Sequence, residues 1–133
     1  MDFDKKLQEH KDGIKKYLSF IVNLLASRAL THDNSKNSDE EYLNYIKPTL
    51  DKGLKHHYNV NRHHPEYFDN GIDDMTLIDI LEMIVDWKIS IEQNSKDLYK
   101  EIDYNFMKYN VSEQLQKIIL NTYKYIDKLM KEE

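Results

Sequence analysis

Four of the six histidines fall in one short string, His56-His57-Tyr58-Asn59-Val60-Asn61-Arg62-His63-His64. Neutral imidazoles gathered this way suit a divalent metal, although a solvated surface cluster has the same composition. A second feature is independent of the first. Asp79, Glu82 and Asp86 recur at i, i+3 and i+7 in the most apolar helical stretch of the chain, so they share one helical face. A carboxylate on a buried helix is costly unless it is ion-paired, hydrogen-bonded or metal-bound. Asp86, between Val85 and Trp87, therefore reads as a metal ligand or as the partner of Arg28 or Arg62. Asp79 reads as an ordinary acid of a first helical turn, favoured by the dipole. The third feature is the adjacent pair His32-Asp33 just past an apolar helix. Imidazole and carboxylate donors drawn from several helices are the usual supply for a divalent ion.

The elements that must position these groups are helical. Leu7, Ile14, Tyr17, Leu18, Ile21, Leu24 and Leu25 form a face suited to a core, on a first helix running toward Thr31 with no Pro or Gly to end it. Ser38 and Glu41 have the spacing of a capping box, opening a short helix with Tyr42, Leu43 and Ile46 that Pro48 ends or restarts. Leu50, Leu54, His57 and Asn61 share a face of the next helix, which stops near Arg62 because Pro65 disfavours helical geometry at His64. Asp69-Asn70-Gly71 marks a turn before a helix from Met75 to about Gln93. Two C-terminal helices follow, the last capped by Ser112. The expectation is an all-α, compact single-domain bundle of about six helices over residues 1–133, with a metal-site core at about 5–95 and C-terminal helices at about 96–133.

Composition narrows the function classes. The formal charge is −5 and Lys and Glu are interspersed, so no basic stripe offers itself to long nucleic acid. Cysteine is absent, so any metal site uses nitrogen and oxygen, which suits Mn, Fe, Co, Mg or Zn. No signal peptide opens the chain, and the apolar stretch 17–26 is too short to span a bilayer, so a cytoplasmic protein with no membrane role is expected. Tyr99, Tyr104, Tyr109, Tyr123 and Tyr125 suit helix packing, and a homo-oligomer interface is open to them.

The series His10, His32-Asp33, Asp86 resembles the HD superfamily of metal-dependent phosphohydrolases, whose ligands come as H, HD and D on a helical domain. The strings His32-Asp33-Asn34-Ser35-Lys36 and His63-His64-Pro65-Glu66-Tyr67 are similar to motifs of HD-GYP phosphodiesterases, without the full glycine-tyrosine-proline signature. The chain most resembles a family of small, functionally unassigned HD-like proteins of bacteria and phages. Those carry HD-x-S-K, HH-x-x-x-N-x-HH-x-E-Y and E-M-x-x-D, matched here by His32 to Lys36, His56 to Tyr67 and Glu82 to Asp86.

The resemblance implies a phosphohydrolase acting on a nucleotide or other small phosphate ester. His10, His32, Asp33 and Asp86 would bind one divalent metal. His57 and His64 would complete a second site bridged by Asp33, or would contact substrate. Asp33 and Glu82 are the candidate catalytic residues, with Glu82 orienting a ligand histidine or shuttling a proton. Lys36, Arg62 and His63 are the candidate substrate contacts, Lys36 as a point charge and Arg62 as a fork for phosphate. One geometric condition applies to His10. An unbroken helix would separate it from His32 by about 33 Å, so a shared ion requires a reversal near Asn23. Two rival functions are a non-catalytic metal- or nucleotide-binding module and an HD-type di-iron oxygenase.

Overall fold

Asp2 opens the first helix by accepting the Asp4 N–H at 3.1 Å, and the helix then runs without interruption as α1, Phe3–Thr31. The computed structural model describes residues 2–45 and 50–132. Five further helices follow: α2 Asp39–Tyr45, α3 Leu50–Val60, α4 Leu77–Gln93, α5 Leu98–Lys108 and α6 Glu113–Lys131. Short 3-10 turns cover Asn34–Asn37, Pro65–Tyr67 and Gly71–Asp74. The described residues hold no strand, and the chain is all-α as its sequence implies. Ile46 and Pro48, assigned above to the end of the second helix, lie outside the described residues.

The ends of these helices follow from local chemistry. No glycine stops α1; instead Asp33 takes the left-handed conformation at φ 57°, which aspartate tolerates better than most residues, and turns the chain into Asn34–Asn37. Ser38 caps α2 as its spacing implied, with the Glu41 N–H 3.4 Å from its Oγ. Gly71 supplies the positive φ of the Asp69-Asn70-Gly71 turn. Asp97 and Ser112 cap α5 and α6 by accepting the N–H groups of Lys100 and Leu115. Asn110 leaves α5 in the left-handed region, the usual way for a helix to end beside a second one.

Backbone contacts group the chain into two units, Met1–Asn61 with Thr76–Ile78 and Arg62–Met75 with Asp79–Glu133. The second unit has an apolar core built from three helices. Met83, Ile84 and Trp87 of α4, Leu98, Ile102 and Phe106 of α5, and Ile119 and Tyr123 of α6 are all buried, with Val111 between the last two helices. Each such side chain contributes about 1.5–3 kcal/mol by leaving water. Tyr123 donates its hydroxyl to the Ile84 carbonyl at 2.5 Å, and Tyr109 stacks on Trp87 with ring centres 5.6 Å apart.

The first unit is organised around polar groups. Its fully buried side chains among the described residues include Glu41 and His57, and its buried positions include no large aliphatic or aromatic side chain. α2 and α3 approach closely at Gly53, where an added Cβ would lie 3.2 Å from Asn44 Cβ. Gly53 is one turn before His57, so the glycine that weakens α3 also admits Glu41 to the histidine's face. The apolar face of α1, expected to enter a core, contributes no buried residue. No described helix is long and apolar enough to cross a membrane.

Candidate metal centre

In the first unit, the turn after α1 carries Asp33 against the buried end of α3. Asp33 Oδ1 lies 3.2 Å from His57 Nε2, while Oδ2 lies 3.3 Å from His32 Nε2 and 3.1 Å from Lys36 Nζ. The other nitrogen of His57 meets a second carboxylate, with Nδ1 2.8 Å from Glu41 Oε1. His56 Nδ1 lies 2.6 Å from Glu41 Oε2, so one buried carboxylate serves two neighbouring imidazoles. Asn61 stiffens the end of α3 by donating to the His57 carbonyl and to Ser35 Oγ. Burial pushes the Glu41 carboxyl up, but hydrogen bonds from Ser35, His56 and His57 outweigh it and hold the group below its ordinary value. Glu41 is therefore an anion, and an anion can only accept.

With Nδ1 of His57 donating to Glu41, Nε2 is the nitrogen that faces the Asp33 carboxylate. Two acceptors 3.2 Å apart repel unless a proton or a metal cation lies between them. A carboxylate behind an imidazole, with the opposite nitrogen toward a metal ligand, is the usual supporting arrangement of histidine-bound metals.

The second unit repeats the arrangement with different residues. His63 is buried, its Nδ1 2.9 Å from Glu82 Oε2 and its Nε2 3.9 Å from Asp86 Oδ2. Glu82 and Asp86 are one turn apart on α4, so a single helix face brackets the ring. His64 follows in extended conformation before Pro65, its ring centre 4.1 Å from that of His63. Metal bonds of about 2.0–2.2 Å to N and O span at most about 4.4 Å between two ligands, a limit that both His–Asp separations meet. These His and Asp groups, all buried or half-buried, could hold a metal ion. The donors are His32, Asp33 and His57 in the first unit and His63, His64 and Asp86 in the second.

Several expectations change. His10 stands on the straight part of α1, which continues through Asn23 with no reversal. The helix rise alone separates it from His32 by about 33 Å, so it cannot share an ion with that residue. His63, expected to touch substrate, is also among the groups that could hold a metal ion. Arg62, expected to clamp phosphate, directs Nε and Nη2 at Asp79 at 3.2 and 3.1 Å and lies over the Phe68 ring at 5.0 Å. Hydrogen bonding to Asp79 raises the Arg62 pKa further. Asp79 stands in the first turn of α4 as expected, but it is also fully buried as a counter-ion, and it takes the arginine that had been offered to Asp86. Glu82, weighed as an orienting or proton-shuttling group, lies against His63 Nδ1. Lys36 accompanies Asp33, its side chain about half exposed.

Glu41 is the residue that sequence reasoning missed. Its position three after Ser38 explained it fully as a capping residue, and nothing in helical spacing connects it to histidines on another helix. The one sequence signal was Gly53, a helix-weakening residue one turn before His57.

No curated protein and no solved structure matches the chain. A family profile does, over residues 46–125, a segment that holds His57, His63, His64, Glu82 and Asp86 and begins after His32-Asp33. The chain belongs to this family of unknown function (DUF5662).

Proposed function

We propose that the protein is a divalent-metal-dependent phosphohydrolase of the HD type, acting on a nucleotide or another small phosphate ester. The observation that carries the reading is the twice-repeated row Glu–His–Asp, Glu41–His57–Asp33 and Glu82–His63–Asp86. In each row a carboxylate faces one imidazole nitrogen, and the opposite nitrogen is presented beside an aspartate. His32, Asp33, His57, His63, His64 and Asp86 are the ligands in this reading, and metal stoichiometry measures how many ions they hold. A bound divalent ion would acidify a coordinated water and neutralise charge on a phosphoryl group. Lys36, 3.1 Å from Asp33, is the cation nearest that carboxylate for a substrate phosphate. Glu41 and Glu82 act through the histidines as positioning residues.

A non-catalytic metal-binding module is the second reading. It is favoured by the engagement of Arg62 with Asp79, which gives structural work to a residue expected at substrate, and of Glu82 with His63, which occupies a carboxylate weighed for proton transfer. The experiment is metal content of the purified protein together with phosphate release from a nucleotide panel in Mn, Co and Mg. Turnover with bound metal supports the hydrolase, and stoichiometric metal without turnover supports the binding module. Redox-active iron with oxygen uptake would support an HD-type oxygenase. Asp33→Ala should lose the metal and His10→Ala should keep it; unchanged metal content in Asp33→Ala would overturn the site.

A further inference from the structure

The first helix carries more apolar surface than a solvated helix needs, and its pattern is specific. From Phe3 a seam advances by alternating steps of four and three through Leu7, His10, Ile14, Tyr17, Ile21 and Leu24, apolar at every position but His10. That is a repeat of 3.5 residues sustained over most of an unbroken 29-residue helix, the spacing of a seam that packs against another helix. The apolar members of the seam are exposed, from 37% at Ile21 to 74% at Phe3, and α1 has no buried residue. Beside the seam, Leu18 and Phe20 are also more than half exposed. With aromatic side chains presenting roughly 150–250 Å² each, this stripe reaches the class of about 800 Å² per partner that a stable interface buries.

We propose that α1 is a dimerisation helix, pairing with α1 of a second copy of this chain in an antiparallel coiled coil. Charge decides the orientation. A parallel pair would set Arg28, which continues the seam after Leu24, against its own copy, and would set Lys6 beside Lys11 of the partner. Like charges so placed are destabilising. The antiparallel register that puts Leu7 opposite Leu24 removes both conflicts. It also places Ile14 opposite Tyr17, His10 opposite Ile21, and Arg28 over the ring of Phe3. The charges of α1 are concentrated before residue 17, so each charged half then lies on an apolar half, with the stems of Lys6 and Lys11 covering Phe20 and Leu18. His10, excluded from His32's metal by distance, becomes the polar seam position that fixes register.

The test is sedimentation equilibrium of the full chain. The expected result is a dimer at tens of micromolar whose Kd weakens by about 100-fold or more in Ile14→Glu, since each copy loses a buried isoleucine. Ser19→Glu, on the opposite face of α1, should leave it unchanged. A wild-type monomer across that range, or an Ile14→Glu protein that dimerises normally, would overturn the proposal. Because the chain has no cysteine, orientation is read by mixing two single variants, Leu7→Cys and Leu24→Cys. Oxidation to the mixed disulfide supports the antiparallel pair, and formation of the two homodimers alone overturns it.

Discussion

Glu41→Gln is the sharpest perturbation available, because it alters charge at a fully buried group while nearly preserving volume. Glu41 accepts from His57 Nδ1 at 2.8 Å and from His56 Nδ1 at 2.6 Å. Glutamine offers one carbonyl oxygen and one NH₂ to two N–H donors, so at least one imidazole loses its acceptor or changes tautomer. If Nδ1 of His57 gives up its proton, the proton can move to Nε2, the nitrogen facing Asp33, and a metal must then displace it. Loss of such a supporting carboxylate typically weakens metal affinity by about 10–100-fold, or about 1.4–2.7 kcal/mol. The assay is calorimetric titration of Mn or Zn into metal-stripped protein with a competing chelator, alongside Asp33→Ala as the ligand deletion. The expected order is wild type, then Glu41→Gln weaker by that factor, then Asp33→Ala with binding lost. An unchanged Kd in Glu41→Gln, with its helix content intact by circular dichroism, would refute the argument. The Glu41–His57–Asp33 row would then be an ordinary buried ion-pair network.

Arg62→Ala should lower stability by about 2 kcal/mol in urea, because buried Asp79 loses its fork. The value sits below that of a fully buried pair because Arg62 is 43% exposed and water screens it. Asp79→Asn in the Arg62→Ala background should recover part of the loss. Lys88 carries a pH signature: burial lowers its pKa, but Glu92 and Asp127 outweigh it and raise the value above 10.5. The ion pair's contribution, of order 1 kcal/mol or less, should be fully present below pH 10.5 and vanish as pH rises through the folded-state value. Urea curves of wild type and Lys88→Met should therefore converge at high pH. Chelation of divalent ions should speed amide exchange in α2 and α3 by up to about 100-fold where metal had been held at 100 times its Kd. The protected amides of α5 and α6 should change little; equal acceleration there would refute a local effect.

What the sequence made legible was periodic or strictly local. The capping roles of Ser38 and Ser112 depend on a spacing of three residues, and the turn at Gly71 on one left-handed position. The helical boundaries near Thr31, Val60 and Gln93 follow from apolar period and from Pro65. Residue types at the candidate centre were equally visible, since His32-Asp33, His57, His63, His64 and Asp86 stand out against a chain with no cysteine. Partner choice was hidden because it is set by tertiary approach. Arg62 could have served Asp86, Asp79 or a phosphate on sequence grounds, and only the packed turn at Pro65–Tyr67 aims it at Asp79. Glu41 was hidden for a different reason: its cap position was already a sufficient explanation. The face of α1 misled because an apolar stripe at helical spacing does not record whether its own chain covers it.

The two units reach stability by different means, and that difference bears on the metal. The second unit buries nine apolar residues beside His63 and Asp79. The first unit puts Glu41 and His57 where such a unit would put leucine or phenylalanine. Buried charge of this kind is seldom better for stability than a well-packed apolar core, and a partly satisfied network is worse. Asp33 adds a left-handed backbone at the same place, a conformation of the sort that concentrates at ligand sites because the surroundings must enforce it. A polar interior and an imidazole set against a carboxylate cost stability unless their charges are balanced. If the proposed metal binds between Asp33 and His57, it would offset that electrostatic cost, and the first unit would depend on the ion more than the second.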